Sequence, residues 1–224
     1  MDIWLQQLAG GPPLRLTSHA AHDDFPSFSP DGSKIVFQSE RDGGGIYEIA
    51  TLGGQARRLS EYGLRPRYSP DGQWISFVTY SASLATRLNR MYLIPTQGGD
   101  PIPFQPDFCY LNLATNMGPV WSPDGRFLIF NGRRTDDPDS VDWWIAPAAG
   151  GPSIRTNAHQ DLALPPVWQS PYFWAGSYIY FATGTTVEGV NLYRVQFDTS
   201  SWKVRGQAER ITSGPGMQYN PSAL

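Results

Sequence analysis

The stretch Phe25-Pro26-Ser27-Phe28-Ser29-Pro30-Asp31-Gly32-Ser33-Lys34-Ile35-Val36-Phe37 limits what this chain can fold into more than any other, because it encodes a hairpin and then recurs. Pro30 fixes its own φ, Asp31 can cap the turn through its side chain, and Gly32 supplies a left-handed position, so two apolar runs are separated by a tight turn. The unit returns at Pro66 to Phe77 and at Pro119 to Phe130 with Ser-Pro-Asp-Gly intact. A fourth copy is worn. There Pro166-Val167-Trp168 leads through a longer turn, with Ala175-Gly176 in place of Asp-Gly, into Ser177-Tyr178-Ile179-Tyr180-Phe181, and Pro221-Ser222 opens a fifth.

The leading prolines stand at 26, 66, 119, 166 and 221, a period of roughly forty to fifty-five residues that signals a repeat architecture. The second half of each repeat is periodic too. Ile46 to Ile49, Met91 to Ile94, Trp143 to Ala146 and Asn191 to Val195 alternate as half-buried third strands do. The first three lead to diglycine turns, Gly53-Gly54, Gly98-Gly99 and Gly150-Gly151, and then to short fourth strands such as Ala56 to Ser60. Four antiparallel strands per repeat of this length describe a propeller blade, so the expected class is an all-β propeller.

These residues resemble the TolB-like β-propeller repeat, a relative of WD-type repeats with the signature P-x-[FYW]-S-P-D-G followed by an apolar strand ending in Phe. The resemblance covers essentially the whole chain. It implies a six-bladed parent, so the expectation is a fragment of a longer propeller: a half blade over 2–17, blades over 22–60, 62–104, 117–156 and 164–212, and the first strand of another over 217–224. The termini then lack one strand, and exposed blade flanks would favour self-association. By resemblance alone a periplasmic or other extracytoplasmic setting is favoured, while the residues leave the compartment open.

Composition narrows the function classes. Only 17% of the 224 residues are charged, 13% are aromatic, and the formal net charge is −3. Such a chain offers no field to gather phosphates, which argues against nucleic acid as a partner. The lone Cys109 excludes an internal disulfide framework. No apolar run approaches the ~20 residues of a spanning helix, and the first 20 residues have neither the basic nor the apolar region of a signal peptide. There is no Gly-x-Ser-x-Gly, phosphate loop or paired-cysteine motif, so no catalytic residue, cofactor or metal is assigned.

Blade topology sorts the connections onto two rims. The Pro-Asp-Gly and diglycine turns share one. The variable connections share the other, and binding usually sits on such loops. Candidate partner-binding residues there are His22, Arg41, Arg87, Arg90, Phe108, Tyr110, Arg133, Arg134, Asp136 and His159. Asp31, Asp71 and Asp124 read as turn caps. His19, His22 and His159 all fall on the variable rim, and propeller-type lyases, which this chain resembles at fold level only, use histidines from several blades around a metal, but surface-loop histidine is the simpler reading. The expected function is a non-catalytic scaffold recognising a protein or peptide. The alternatives are an accessory or sensor propeller of a larger hydrolase, kinase or regulator and, behind it, a metal-dependent lyase.

Overall fold

The computed structural model describes residues 1–80, 89–110, 118–164, 169–185 and 189–213. The chain divides into two compact units, Met1–Pro103 and Phe104–Leu224. In the first, β1 (Trp4–Leu5) pairs with β2 (Leu14–Arg15) as a two-stranded ribbon. Blade one follows as β3 (Asp23–Phe28), β4 (Lys34–Ser39), β5 (Gly45–Ala50) and β6 (Arg57–Ser60), and blade two as β7 (Leu64–Tyr68), β8 (Trp74–Thr79), β9 (Arg90–Pro95) and β10 (Ile102–Phe104).

The second unit holds β11 (Phe108–Tyr110), β12 (Val120–Trp121), β13 (Phe127–Arg134), β14 (Asp142–Pro147) and β15 (Ile154–Arg155), then a one-turn helix α1 (Ala158–Asp161). Its last sheet is β16 (Ser170–Ala175), β17 (Tyr178–Thr185), β18 (Gly189–Asp198) and β19 (Lys203–Arg210), joined in chain order. The ladders that join β1 to β2, β3 through β6, β7 through β9, β11 to β13, β12 through β15 and β16 through β19 are antiparallel.

The blades are organised around the phenylalanine that closes each second strand. Phe37, Phe77, Phe130 and Phe181 stand at the same distance after their turn glycines, and all are buried. Phe77 packs with Tyr68, Ile75 and Ile94 of its own blade and with Val36, Ile46 and Leu59 of the preceding one. Phe37 sits likewise among Ile35, Tyr47 and Ile49 and against Ile3 and Leu16 of the terminal ribbon. Phe181 meets the edge of Trp143 at 5.2 Å. Beside Phe77, Gly63 has φ +119°, and a β-carbon there would lie 2.4 Å from the phenylalanine ring. Only glycine fits both constraints.

Stacking explains a departure from the sequence reading. In blades one and three the third strands are not half-buried: Ile46 through Ile49 and Trp143 through Ala146 are buried at every position, whereas Tyr92 and Leu192 to Arg194 of the other two keep partial exposure. The alternation instead sorts residues between the following blade and the sheet's own edge strand. Trp143 points toward Phe181 and Trp144 toward Phe108, 4.8 Å away.

Two boundaries also move. Blade three gains β11, whose Phe108 and Tyr110 pair with Arg134 and Gly132 on the edge of β13 that also carries β12, so the blade opens at Phe108 and not at 117. In the fourth copy the stretch expected as a longer turn is strand β16 itself, and the turn at Ala175-Gly176-Ser177 is tight. Counted back from Gly176, the position equivalent to Pro26 and Pro66 is Ser170. Pro166 to Trp168 and the expected strand at 217–224 lie outside the described residues.

Candidate functional site

The two rims differ in chemistry. On the Pro-Asp-Gly rim the turn aspartates act as caps. Asp31 Oδ1 accepts from Ser29 Oγ at 2.5 Å and from the Ser33 amide at 3.0 Å. Asp71 does the same with Ser69 Oγ and the Gln73 amide, and Asp124 with Ser122 Oγ and the Arg126 amide. The serine hydroxyl in turn accepts the amide of Lys34, Trp74 or Phe127, each at 2.9 Å. These bonds from hydroxyl and amide donors hold Asp31 and Asp124 down to about 2.

Between the first two turns lies a cleft of about 260 Å³, lined by Asp31, Lys34, Glu48, Tyr68, Asp71 and Thr96 among others. Glu48 is its buried floor. One carboxylate oxygen accepts from Tyr68 Oη at 2.7 Å, and the other from Lys34 Nζ at 3.0 Å and Arg57 at 3.1 Å. Burial alone would raise Glu48, but these three donors outweigh it and hold the carboxyl below its ordinary value. Burial, followed by the Glu48 acceptor, pushes the Tyr68 hydroxyl well above the usual phenol range. Arg57 also donates to the Thr96 and Gln97 carbonyls, so the cluster ties blade one to blade two.

On the variable rim of the first unit, the inner edge is where β7 packs against β3. Both strands are kinked there. Phe25 (φ 54°) and Arg65 (φ 58°) occupy the same repeat position, the residue before the leading proline, and both adopt left-handed backbone inside a register shift. The Arg65 guanidinium lies 3.8 Å over the Phe25 ring, and its Nε donates to Tyr80 Oη at 3.3 Å. A left-handed bulky residue costs roughly 1–3 kcal/mol and persists where its surroundings enforce it. Tyr62 and Tyr80 are exposed on the same rim.

The candidate residues scatter around this arrangement. His22 is exposed, with Nδ1 3.3 Å from the terminal amino group. Arg41 is not a rim contact: it pairs with the buried Asp23 at 2.6 Å, bonds Ser39 Oγ, and lies over Phe37 and Tyr47, so packing consumes it. Arg90 opens β9 and is half-buried, and Arg87 lies outside the described residues. Phe108 and Tyr110 are corrected as well, since both are buried in β11 and cannot anchor a partner. Arg133 and Arg134 belong to the end of β13 and not to a loop, and Arg134 makes a two-pronged pair with the exposed Asp136 at 2.9 Å.

His159 is not a simple surface histidine: α1 holds it half-buried. Among the described residues no three of His, Cys, Asp and Glu gather as a metal site would require. Among them, too, no helix is long and apolar enough to cross a membrane. Sequence reasoning missed Phe25, Arg65 and Tyr80. The signal was available only as a bulky residue before Pro26 and Pro66, and Gly118 stands at that place before Pro119.

Comparison with known proteins agrees with this geometry. The family described as TolB beta propeller domain matches residues 1–98. A Bacillus subtilis protein named as an uncharacterized peptidase, YuxL, is 26% identical over 172 residues, which is 62% of this chain and 26% of that protein. The tricorn protease homolog 1 of Streptomyces coelicolor is 32% identical over 103 residues, 44% of this chain and 10% of its own. The crystal structure of TolB from Acinetobacter baumannii superposes with a TM-score of 0.71 at 17% identity, covering 95% of this chain and 49% of that one. With its capped turns and stacked antiparallel sheets the chain has the β-propeller fold, similar to that of TolB, and residues 1–98 match the TolB beta propeller domain.

Proposed function

We propose that the chain is a non-catalytic binding propeller that recognises a protein or peptide on its variable rim, at the inner edge formed by Phe25, Arg65 and Tyr80. The observation that carries this reading is the pair of left-handed residues at one register in adjacent blades, with Arg65 stacked on Phe25. Strained backbone of this kind concentrates where ligands are clamped. The opposite rim, in contrast, spends its carboxylates on its own turns. A photo-crosslinking residue at Tyr80 should capture a partner in the source cells. The same residue at Leu52, 93% exposed in a turn of the other rim, should not. Adducts from Leu52 alone would overturn the assignment.

A second reading has its own support. Two of the matched relatives are named as peptidases, and the chain covers only a small part of each. On that reading these blades are the accessory propeller of a larger hydrolase and the inner edge receives its peptide substrate. The adjoining reading frame would then encode the hydrolase domain, which genomic sequence reveals directly.

A further inference from the structure

The one-turn helix α1 sits in the second unit against β14 and β19, with Ala158 and Leu162 in the apolar cluster shared by blades three and four. Its attachment is polar on the other side. Asp142 is almost wholly buried, and its Oδ1 accepts from the amides of Trp143 at 2.7 Å and His159 at 3.3 Å. Its Oδ2 accepts from Arg155 Nε at 2.9 Å. The carboxylate is therefore already neutralised and bonded on both oxygens. Beside it, Nε2 of His159 is buried with no hydrogen-bond partner among the described residues, while the Gln169 backbone also acts on the ring.

From this geometry we infer that His159 is a pH-sensitive latch: neutral, it seats α1 against the blades, and its protonation releases the helix and the rim segment around it. A proton on the ring would place a second cation beside Arg155 around one carboxylate whose oxygens are already engaged. Burial disfavours the charged ring and, with the Arg155 charge, outweighs the attraction of Asp142 and the hydrogen bond of the Gln169 backbone, so the histidine is held below its ordinary value. The other charged groups nearby are Asp161 on α1 itself and Lys203 on β19, whose Nζ approaches the Arg155 carbonyl. Arg205, Glu209 and Arg210 of β19 bond to Asp198, Arg194 and the Thr212 carbonyl.

The sign follows from linkage. In the seated form the ring resists protonation, whereas in the released form it titrates normally. The opening equilibrium therefore rises by up to about tenfold per pH unit as the pH falls below the ordinary histidine range. Hydrogen exchange at Gln160, Asp161 and Leu162, whose amides donate to the Asn157 and Ala158 carbonyls, reads this opening. In the intact chain, protection at these amides, corrected for intrinsic rates, should fall between about pH 6.5 and 4.5, by up to about tenfold per unit. In His159→Gln it should be independent of pH over that range.

A parallel variant, His19→Gln with His22→Gln, leaves α1 untouched and His159 as the single histidine. Its ring resonance should titrate below the ordinary range together with the loss of protection. Two results would overturn the latch: the same pH dependence in His159→Gln, or a ring that titrates normally while the amides stay protected.

Discussion

The interface between blades one and two and the interface between blades three and four share strand register and chemical position but not chemistry. In blade one, Lys34, Glu48 and Arg57 face the next blade, with Tyr68 opposite, and a cleft of about 260 Å³ remains above them. The residues of blade three at the same repeat positions are Phe127, Ile145 and Ile154. There Phe127 packs on Trp202 at 4.6 Å, and Trp174 meets the edge of Phe197 at 5.1 Å. The stacked-blade backbone thus accepts either an ion cluster or an apolar plug at one position. What it does not relax is the phenylalanine beneath, buried in both cases.

The largest effects should come from that shared slot. Phe77→Ala and Phe181→Ala should each lose about 3–5 kcal/mol, the range for a buried aromatic, as measured by denaturant unfolding. A loss confined to one of them would show that the two interfaces are not mechanically equivalent. Gly63→Ala, which places a methyl group against Phe77 on a left-handed backbone, should cost at least about 1–3 kcal/mol.

The phenylalanine slot and the capped turns were legible in the sequence because each is local. Ser-Pro-Asp-Gly contains both partners of its own hydrogen bonds, and the apolar strand follows immediately. Arg41 was not legible in this way, since its fate depends on Asp23, eighteen residues away, and on the rings of Phe37 and Tyr47. Strand β11 was missed for a related reason. Phe108-Cys109-Tyr110 is too short to show a period, and only its pairing with Gly132 to Arg134 makes it a strand. In the fourth copy Pro166 stands near the place of a leading proline, but it is Gly176 that keeps the register. The inner-edge pair of Phe25 and Arg65 depends on tertiary kinks that no alternation encodes.

Smaller effects separate the two interfaces. Glu48→Ala should cost about 1–3 kcal/mol, because it leaves Tyr68 Oη buried without its acceptor while Lys34 and Arg57, about half exposed, regain water. Its pH signature has a definite sign. The Glu48 carboxyl is depressed in the folded state, so its stabilisation is present above the ordinary glutamate value of 4.5 and is lost as the pH falls below it. Asp31 and Asp124 behave in the same direction, their contribution fading between about 3.8 and about 2. Acid unfolding of Glu48→Ala should therefore lack the upper part of this loss and keep the lower part.

The most direct test of the claim that one backbone position tolerates both chemistries is to convert the first interface into the second. Combining Lys34→Phe, Glu48→Ile, Arg57→Ile and Tyr68→Phe removes every member of the ion cluster at once and offers apolar groups to the cleft. Replacing buried ion pairs whole with apolar groups is commonly neutral or stabilising by about 1–4 kcal/mol, and here the carboxylate at the centre is the buried member. Thermal unfolding of this variant at neutral pH should give a Tm equal to or above that of the parent. A Tm lowered as far as that of Glu48→Ala would contradict the account, because it would mean that blades one and two require charge at an interface that blades three and four build from hydrocarbon.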